Sequence, residues 1–381
     1  PDDGVYTTTV VVTAPDGTTY DLTGPNVDID TTGPDVVVTE GTLSAGETVN
    51  AEELADGHVI IGSGEVGASI TVEIQGVIRT TTVGGDGTWS VTYEAGVILT
   101  GEYESSVTIT STDGRGNATT ITETLSVDTV APAVDMATVE GDNIISGSEA
   151  SDGVTLTGSG EVGSSLTISF QGTSQTVIIG ASGTWSVDIS ASLITSGTYD
   201  SDVVLTAVDL AGNSTTTSYT LQVDTEGSVT LTQPVSGDDM VNAAELATGI
   251  TLTGTAEAGS SVQVTLRGVT HTVTAGSDGN WSTTYTSAEI PTGEYDAAIS
   301  VTATDVNGNS ETTSGSLRID TTTSTSLTVP ISTDGMINAA EASAGVTLTG
   351  TAEAGSSVQI TLQGVPHTVT AASNGSWTTT F

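Results

Sequence analysis

Ile250-Thr251-Leu252-Thr253-Gly254 alternates apolar and polar residues, and two later stretches, Val262-Gln263-Val264-Thr265-Leu266 and Ile299-Ser300-Val301-Thr302-Ala303, share this period of two. A period of two places alternate side chains on opposite faces of a β-strand. Gly, Asp, Asn or Ser residues bound each stretch, and turn signals such as 305–309 recur at hairpin spacing. We therefore predict strands throughout this region, with no more than a single helical turn at 242–246.

The same pattern returns at a fixed step of 96 residues. Four tryptophans keep this step, namely Trp89, Trp185, Trp281 and Trp377. Six to eight short strands in about 96 residues fit a two-sheet sandwich, which makes the chain all-β. Each Trp follows a turn at one fixed point of the strand pattern, which favours packing in the core over a row of rings for stacking carbohydrate.

The repeat spacing predicts the domain boundaries. Three complete repeats span 31–128, 129–224 and 225–320, residues 1–30 match the C-terminal part of a repeat, and residues 321–381 match the N-terminal part. We name these the first, second and third complete repeats, and we call the point where one repeat ends and the next begins a junction.

The composition excludes several classes of function. The chain has 47 acidic residues and four basic ones, all Arg, with a formal net charge of −43. Such a charge repels nucleic acids and anionic lipid surfaces. No apolar run is long enough to insert into a membrane. The chain has no Cys, so neither disulfides nor thiolate metal sites are available. No nucleophile, metalloprotease or phosphate-loop motif is present, and the sequence predicts no enzyme.

Acidic residues recur at the ends of the repeats, and four sets of them are candidate metal ligands. Aspartates end the last strand of each repeat (Asp30, Asp128, Asp224 and Asp320), and others open a five-residue loop (Asp113, Asp209 and Asp305). Glutamates stand two residues before a glycine (Glu65, Glu161 and Glu257) or follow a short Ala- or Ser-containing stretch (Glu53, Glu149 and Glu245). Oxygen ligands of this kind suit a hard cation, and a large flexible shell favours Ca²⁺.

The strand order predicts which of these acids meet. If Asp209 opens the last hairpin of its repeat, the final strand runs away from it, and Asp224 lies at the opposite end. Asp224 then faces the next repeat, where either Glu257 or Glu245 is a possible partner. The alternative to a metal site is that the Asp and Asn residues cap backbone N–H groups of their own turns.

The order of motifs in residues 225–320 resembles the bacterial Ig-like tandem repeats of giant type I secreted adhesins, which include RTX and biofilm-associated proteins. The resemblance rests on Asn242 to Glu245, Gly254 to Gly259, Asp278 to Ser282, Thr304 to Asn309 and Asp320-Thr321. It implies tandem Ig-like β-sandwich domains in an extended rod, stiffened by Ca²⁺ at the domain junctions. Residues 126–132 match the linker of that family, whereas residues 321–324 lack its proline.

The resemblance also implies a function and a location. It predicts the structural extender of an adhesin on the bacterial cell surface, whose partners are its own neighbouring repeats. A ligand on a host surface or in a biofilm matrix is then bound by regions outside this segment. Two alternatives remain open: modules that bind a glycan or a protein, and a filament subunit in which residues 1–30 of one copy complete the strands of 321–381 in another.

Overall fold

The computed structural model describes residues 1–381 and is built almost entirely of strands and tight turns. The chain divides into two compact units, Pro1–Ile145 with Glu149–Val223, and Ser146–Ser148 with Asp224–Phe381. None of its helices is long and apolar enough to span a lipid bilayer. The N-terminal part is an antiparallel hairpin of β1 (Gly4–Thr13) and β2 (Thr19–Ile29).

The first complete repeat folds as two facing sheets. Its strands are β3 (Val36–Glu40), β4 (Thr48–Val49), β5 (His58–Gly64), β6 (Ser69–Ile74), β7 (Val77–Thr82), β8 (Thr88–Tyr93), β9 (Glu102–Thr112) and β10 (Ala118–Asp128). One sheet has the order β4-β10-β9-β6-β7, with β4 parallel to β10, and the other has the order β3-β5-β8. This is the arrangement of an Ig-like sandwich.

The second complete repeat has the same plan. Its strands are β11 (Val134–Met136), β12 (Ile144–Ser146), β13 (Val154–Gly160), β14 (Ser165–Phe170), β15 (Thr173–Ile178), β16 (Thr184–Ile189), β17 (Thr198–Val208) and β18 (Ser214–Asp224). The sheets have the orders β12-β18-β17-β14-β15 and β11-β13-β16.

The third complete repeat differs at one edge. Its strands are β19 (Met240–Val241), β20 (Ile250–Thr255), β21 (Ser261–Leu266), β22 (Val269–Thr274), β23 (Asn280–Tyr285), β24 (Glu294–Thr304) and β25 (Ser310–Asp320). The five-stranded sheet is β19-β25-β24-β21-β22, and the second sheet consists of β20 and β23. In place of a third strand in the second sheet, Val229 forms an isolated antiparallel bridge with Ala256.

The C-terminal part contains five strands and no counterpart of β24 and β25. They are β26 (Thr325–Leu327), β27 (Thr347–Ala352), β28 (Ser357–Leu362), β29 (Val365–Thr370) and β30 (Ser376–Thr380), in the sheets β26-β27-β30 and β28-β29.

A short helix directly precedes each of the strands β5, β13, β20 and β27, where the sequence predicts one turn at most. The helices are α1 (Ala51–Asp56), α2 (Gly147–Asp152), α3 (Ala243–Thr248) and α4 (Ala339–Ala344). Each is six residues long, so the single-turn prediction for 242–246 is too short. In α3, Asn242 accepts from the backbone N–H of Glu245, whose carboxylate accepts from the N–H of Asn242. This capping box satisfies the first amides and lets a longer helix form.

The hydrophobic residues form four separate cores, which draw on residues 36–127, 139–223, 235–319 and 348–377. Each core contains one of the periodic tryptophans, and each indole is between 3% and 5% exposed. The core-packing interpretation of the tryptophans is therefore correct, and these rings form no exposed row for stacking sugars.

Each tryptophan lies directly opposite a glycine on the neighbouring strand. The pairs are Gly62 with Trp89, Gly158 with Trp185, Gly254 with Trp281, and Gly350 with Trp377. A Cβ atom at Gly158 would come within 2.1 Å of the carbonyl oxygen of Asp135 and 2.6 Å of the Trp185 ring. The ring covers the bare backbone of the glycine, so the two residue types depend on each other.

We expect Gly158→Ala to destabilise the second complete repeat by about 1–3 kcal/mol, because the added methyl group overpacks a filled core. Differential scanning calorimetry of the whole chain should show one transition moved to lower temperature. Gly180→Ala is the matched control, since a Cβ there meets nothing within 4 Å and residue 372, at the corresponding position, is already Ala. Equal transition temperatures for the two variants would contradict the pairing.

Candidate metal centre

The five-residue loop between the last two long strands of each complete repeat is held by its own Asp and Asn. In each loop the backbone N–H of the asparagine donates to Oδ1 of the aspartate at 2.8–2.9 Å, and the asparagine Nδ2 donates to Oδ2 of the same aspartate at 2.7–2.8 Å. The pairs are Asn117 with Asp113, Asn213 with Asp209, and Asn309 with Asp305. The turn chemistry considered above as the alternative to a metal is thus present in all three loops.

These hydrogen bonds also affect ionisation. Burial raises the pKa of Asp113, but hydrogen bonds from Asn117, Arg115 and Gly116 outweigh it and hold that pKa below its ordinary value. Asp113 therefore remains a carboxylate near neutral pH, which is the form that could bind a cation.

The same asparagines reach the end of the preceding repeat. Their Nδ2 groups donate to the backbone carbonyl of the last strand residue, Asn117 to Asp30 at 3.1 Å, Asn213 to Asp128 at 2.8 Å and Asn309 to Asp224 at 2.8 Å. The sequence predicts only a capping role for these asparagines within their own turns, although they repeat at the same 96-residue step. They place the carboxyl end of one repeat against the loop of the next.

The asparagine carbonyls bind the start of the short helix in the preceding repeat. Asn213 Oδ1 accepts from the N–H of Ala51 at 2.9 Å, and Asn309 Oδ1 accepts from the N–H of Gly147 at 2.8 Å. Both asparagines are 7% exposed, and the Nδ2 and Oδ1 atoms of each are hydrogen-bonded inside the junction. A buried amide with its donors and acceptor satisfied specifies geometry, because any displacement leaves polar groups unpaired.

The third junction, which lies wholly within the second unit, brings three carboxylates together. One oxygen from each of Asp224, Glu257 and Asp305 lies within 4.8 Å of the others. Asp224 is 5% exposed, and Asn307 Nδ2 donates to its Oδ2 at 2.5 Å. Burial, Asp224 and Asp305 together raise the pKa of Glu257, against hydrogen bonds from Ser228. The three carboxylates therefore repel one another in the absence of a cation.

The second junction repeats this charge arrangement within the first unit. Burial raises the pKa of Glu161, and the nearby carboxylates of Asp209, Asp128 and Glu102 raise it further. Asp209 is 8% exposed. At this junction, as at the third, the charges of the strand-end aspartate and the loop aspartate raise the pKa of the glutamate.

The first junction contains a basic side chain among its acids. Arg115 Nη1 contacts Asp30 Oδ2 at 2.6 Å, and Nη2 contacts Asp28 Oδ2. The bond to Asp30 and the charges of Asp28, Asp30 and Asp113 raise the pKa of Arg115, against slight desolvation. Glu65 is exposed here. Neither Arg115 nor Asp28 was among the sequence-based candidates.

The remaining candidates lie in other surroundings. The carboxylates of Glu53 and Glu245 accept from the N–H of Asn50 and Asn242 at 3.0 and 2.9 Å, so they cap their own helices. Glu149 lies in the first turn of α2. Asp320 ends β25, where it pairs with Glu294 of β24. Of the two possible partners for Asp224, the structure places Glu257 beside it.

We expect Asn213→Ala to lower the free energy of unfolding by about 1–3 kcal/mol, because the carbonyl of Asp128 and the N–H of Ala51 each lose a partner. Calorimetry of the whole chain measures this loss. Asn280→Thr is the control, because the side chain of Asn280 bonds only to Asp278 in its own turn and the corresponding position holds Thr in the first two complete repeats. A loss no larger than that of Asn280→Thr would show that the asparagine does not maintain the junction.

We also predict a pH effect at Glu257 in metal-free buffer. Because its folded pKa lies above the ordinary value of 4.5, the folded state binds the proton more tightly than the unfolded chain. The ionised form therefore destabilises the fold at neutral pH, and this effect is relieved as the pH falls through the raised pKa towards 4.5.

Accordingly, Glu257→Gln should raise the melting temperature at pH 7 in EDTA, and the difference from wild type should shrink as the pH approaches 4.5. Glu311→Gln, an exposed position on β25, is the control and should show no such trend. A pH-independent difference for Glu257→Gln would show that carboxylate repulsion is not its cause.

The chain is similar to bacterial Ig-like domains and to repeats of large adhesion proteins. The bacterial Ig-like domain family matches residues 235–321. A Ca²⁺-stabilized adhesin that helps an Antarctic bacterium reach out and bind ice is 31% identical, over 92% of this chain and 91% of that chain, with a TM-score of 0.38. A tetra-tandem repeat from the extending region of a large adhesion protein is 25% identical, over 87% and 89%, with a TM-score of 0.32.

A single bacterial immunoglobulin-like domain from the ice-binding adhesin of M. primoryensis is 29% identical, over 25% of this chain and 98% of that chain, with a TM-score of 0.21. No curated protein sequence matches the chain. The family match covers most of the third complete repeat, and the same sandwich recurs at the 96-residue step in the first and second. The chain belongs to the bacterial Ig-like domain family, as a tandem array of its repeats.

Proposed function

We propose that this chain is part of the extender region of a bacterial cell-surface adhesin, and that Ca²⁺ bound at its junctions stiffens it. The extender holds a ligand-binding region, outside this segment, at a distance from the cell. The observation that carries the proposal is the grouping of Asp224 with Glu257 and Asp305, because these residues come from two consecutive repeats. A cation held by them would link the end of one repeat to the loops of the next.

The donor set fits a hard cation. Asp224, Glu257 and Asp305 would hold the ion through carboxylate oxygens, and the set contains no sulfur or imidazole. The bound ion supplies two positive charges that offset the mutual repulsion of these carboxylates. The chain's own residues do the rest: Asn309 fixes the strand end and the loop against each other, so the carboxylates stay close whether or not they are neutralised.

The net charge supports the same function. A chain with a formal charge of −43 is destabilised by self-repulsion, and divalent cations at the junctions relieve it. Dissociation constants of about 10⁻⁴–10⁻³ M, typical of extracellular calcium modules, suffice outside a cell. At calcium 100-fold above the dissociation constant, each site adds about 2.7 kcal/mol to the stability of the bound state.

Small-angle X-ray scattering of the whole chain in calcium and in EDTA tests the stiffening. We expect the maximum dimension and the persistence of the chain to fall in EDTA, because the junctions lose the cation that links consecutive repeats. An unchanged scattering profile would overturn the stiffening.

Variants should locate the site. In calorimetric titration with CaCl₂, Glu257→Gln should lose one bound ion, whereas Glu311→Gln should keep the wild-type number. The melting temperature of Glu257→Gln should then fall below that of wild type in calcium, although it is expected to lie above it in EDTA at pH 7. The same stoichiometry for both variants would exclude Glu257 as a ligand.

A further inference from the structure

The three junctions share a backbone arrangement but differ at the middle position of the five-residue loop. This position holds Arg115 at the first junction, Ala211 at the second and Asn307 at the third. The flanking aspartate and asparagine keep the same hydrogen bonds in all three loops. The middle side chain is therefore the variable element on a constant scaffold.

The three side chains do different things. The Arg115 guanidinium bridges Asp28, on β2, and Asp30, which directly follows the end of β2 at Ile29. Asn307 donates to the strand-end aspartate Asp224 and carries no charge. Ala211 offers only its backbone carbonyl, which accepts from Asn50 Nδ2 at 3.0 Å. The middle residue of the loop thus places a positive charge among the carboxylates at the first junction, but not at the second or the third.

We propose that Arg115 takes the place of a metal ion at the first junction, so that this junction is held without calcium while the second and third use it. The inference rests on the proposed function for what the other two junctions bind. The guanidinium occupies Oδ2 of Asp30, an oxygen that a cation there would need, and it neutralises part of the local acid charge. A divalent ion close to the guanidinium would also be repelled.

The effect does not require a strong ion pair. The Arg115 side chain is 51% exposed and those of Asp28 and Asp30 are 46% and 28% exposed, so the bridge itself adds little stability. What Arg115 changes is the calcium requirement. An array with one metal-independent junction keeps that junction ordered when calcium falls, while the others loosen.

Calcium stoichiometry of the whole chain, measured by calorimetric titration and by equilibrium dialysis, tests the inference. Arg115→Ala, which copies the second junction, should bind one more Ca²⁺ than wild type. Ala211→Arg, which copies the first junction, should bind one fewer. Arg115→Lys keeps the charge and should leave the number unchanged. An unchanged stoichiometry in Arg115→Ala, measured on protein that retains the wild-type far-UV circular dichroism spectrum, would overturn the proposal.

Arg79→Ala is the control for net charge. It removes the same charge from the middle of the edge strand β7, where Arg79 lies opposite Val72 and over the Tyr93 ring, and it should not add an ion. An added ion in this variant would show that overall charge, rather than the place of Arg115, sets the stoichiometry.

The outcomes also separate this inference from the proposed function. If wild type binds no calcium and Arg115→Ala binds one ion, the role of Arg115 stands and calcium stiffening of the natural array fails. If wild type binds calcium and Arg115→Ala gains none, calcium binding stands and the role of Arg115 fails.

Discussion

The junction depends on one buried asparagine shared between two consecutive repeats. At the second junction Asn213 donates to the carbonyl that ends the preceding strand, accepts from the start of the preceding helix, and bonds to its own loop aspartate. Among side chains of this length, only that of Asn supplies two N–H donors together with a carbonyl acceptor. The carboxylates around it are close together because this amide places them there.

That arrangement explains how acids accumulate at a junction in spite of their repulsion. The carboxylate of Asp209 accepts hydrogen bonds from the N–H groups of its own loop, and Asp128 is held through its backbone carbonyl. These bonds hold the two acids in place, and the remaining negative charge can be balanced in different ways. At the first junction Arg115 brings a positive charge to the acids, whereas at the third junction Asn307 contributes a neutral hydrogen-bond donor.

A second constraint on the array is that each sandwich has its own hydrophobic core. Each Trp–Gly pair fills a core of its own, so that the four cores do not share residues. Because the cores are separate, consecutive repeats are joined by polar groups at their ends. This arrangement also places the four tryptophan rings inside the cores.

The sequence by itself determined the strand periodicity, the 96-residue step, the buried role of the tryptophans and the acidic character of the repeat ends, because these follow from local patterns and their recurrence. It also indicated that Asp224 faces the next repeat, since strand direction alone separates it from Asp209. It left Glu245 and Glu257 equivalent as partners of Asp224, and it missed the glycines opposite the tryptophans, the asparagine bridges and Arg115. Only the tertiary structure decided these points, because they join residues as far as 162 positions apart, and loops that far apart are brought together by packing rather than by any local preference.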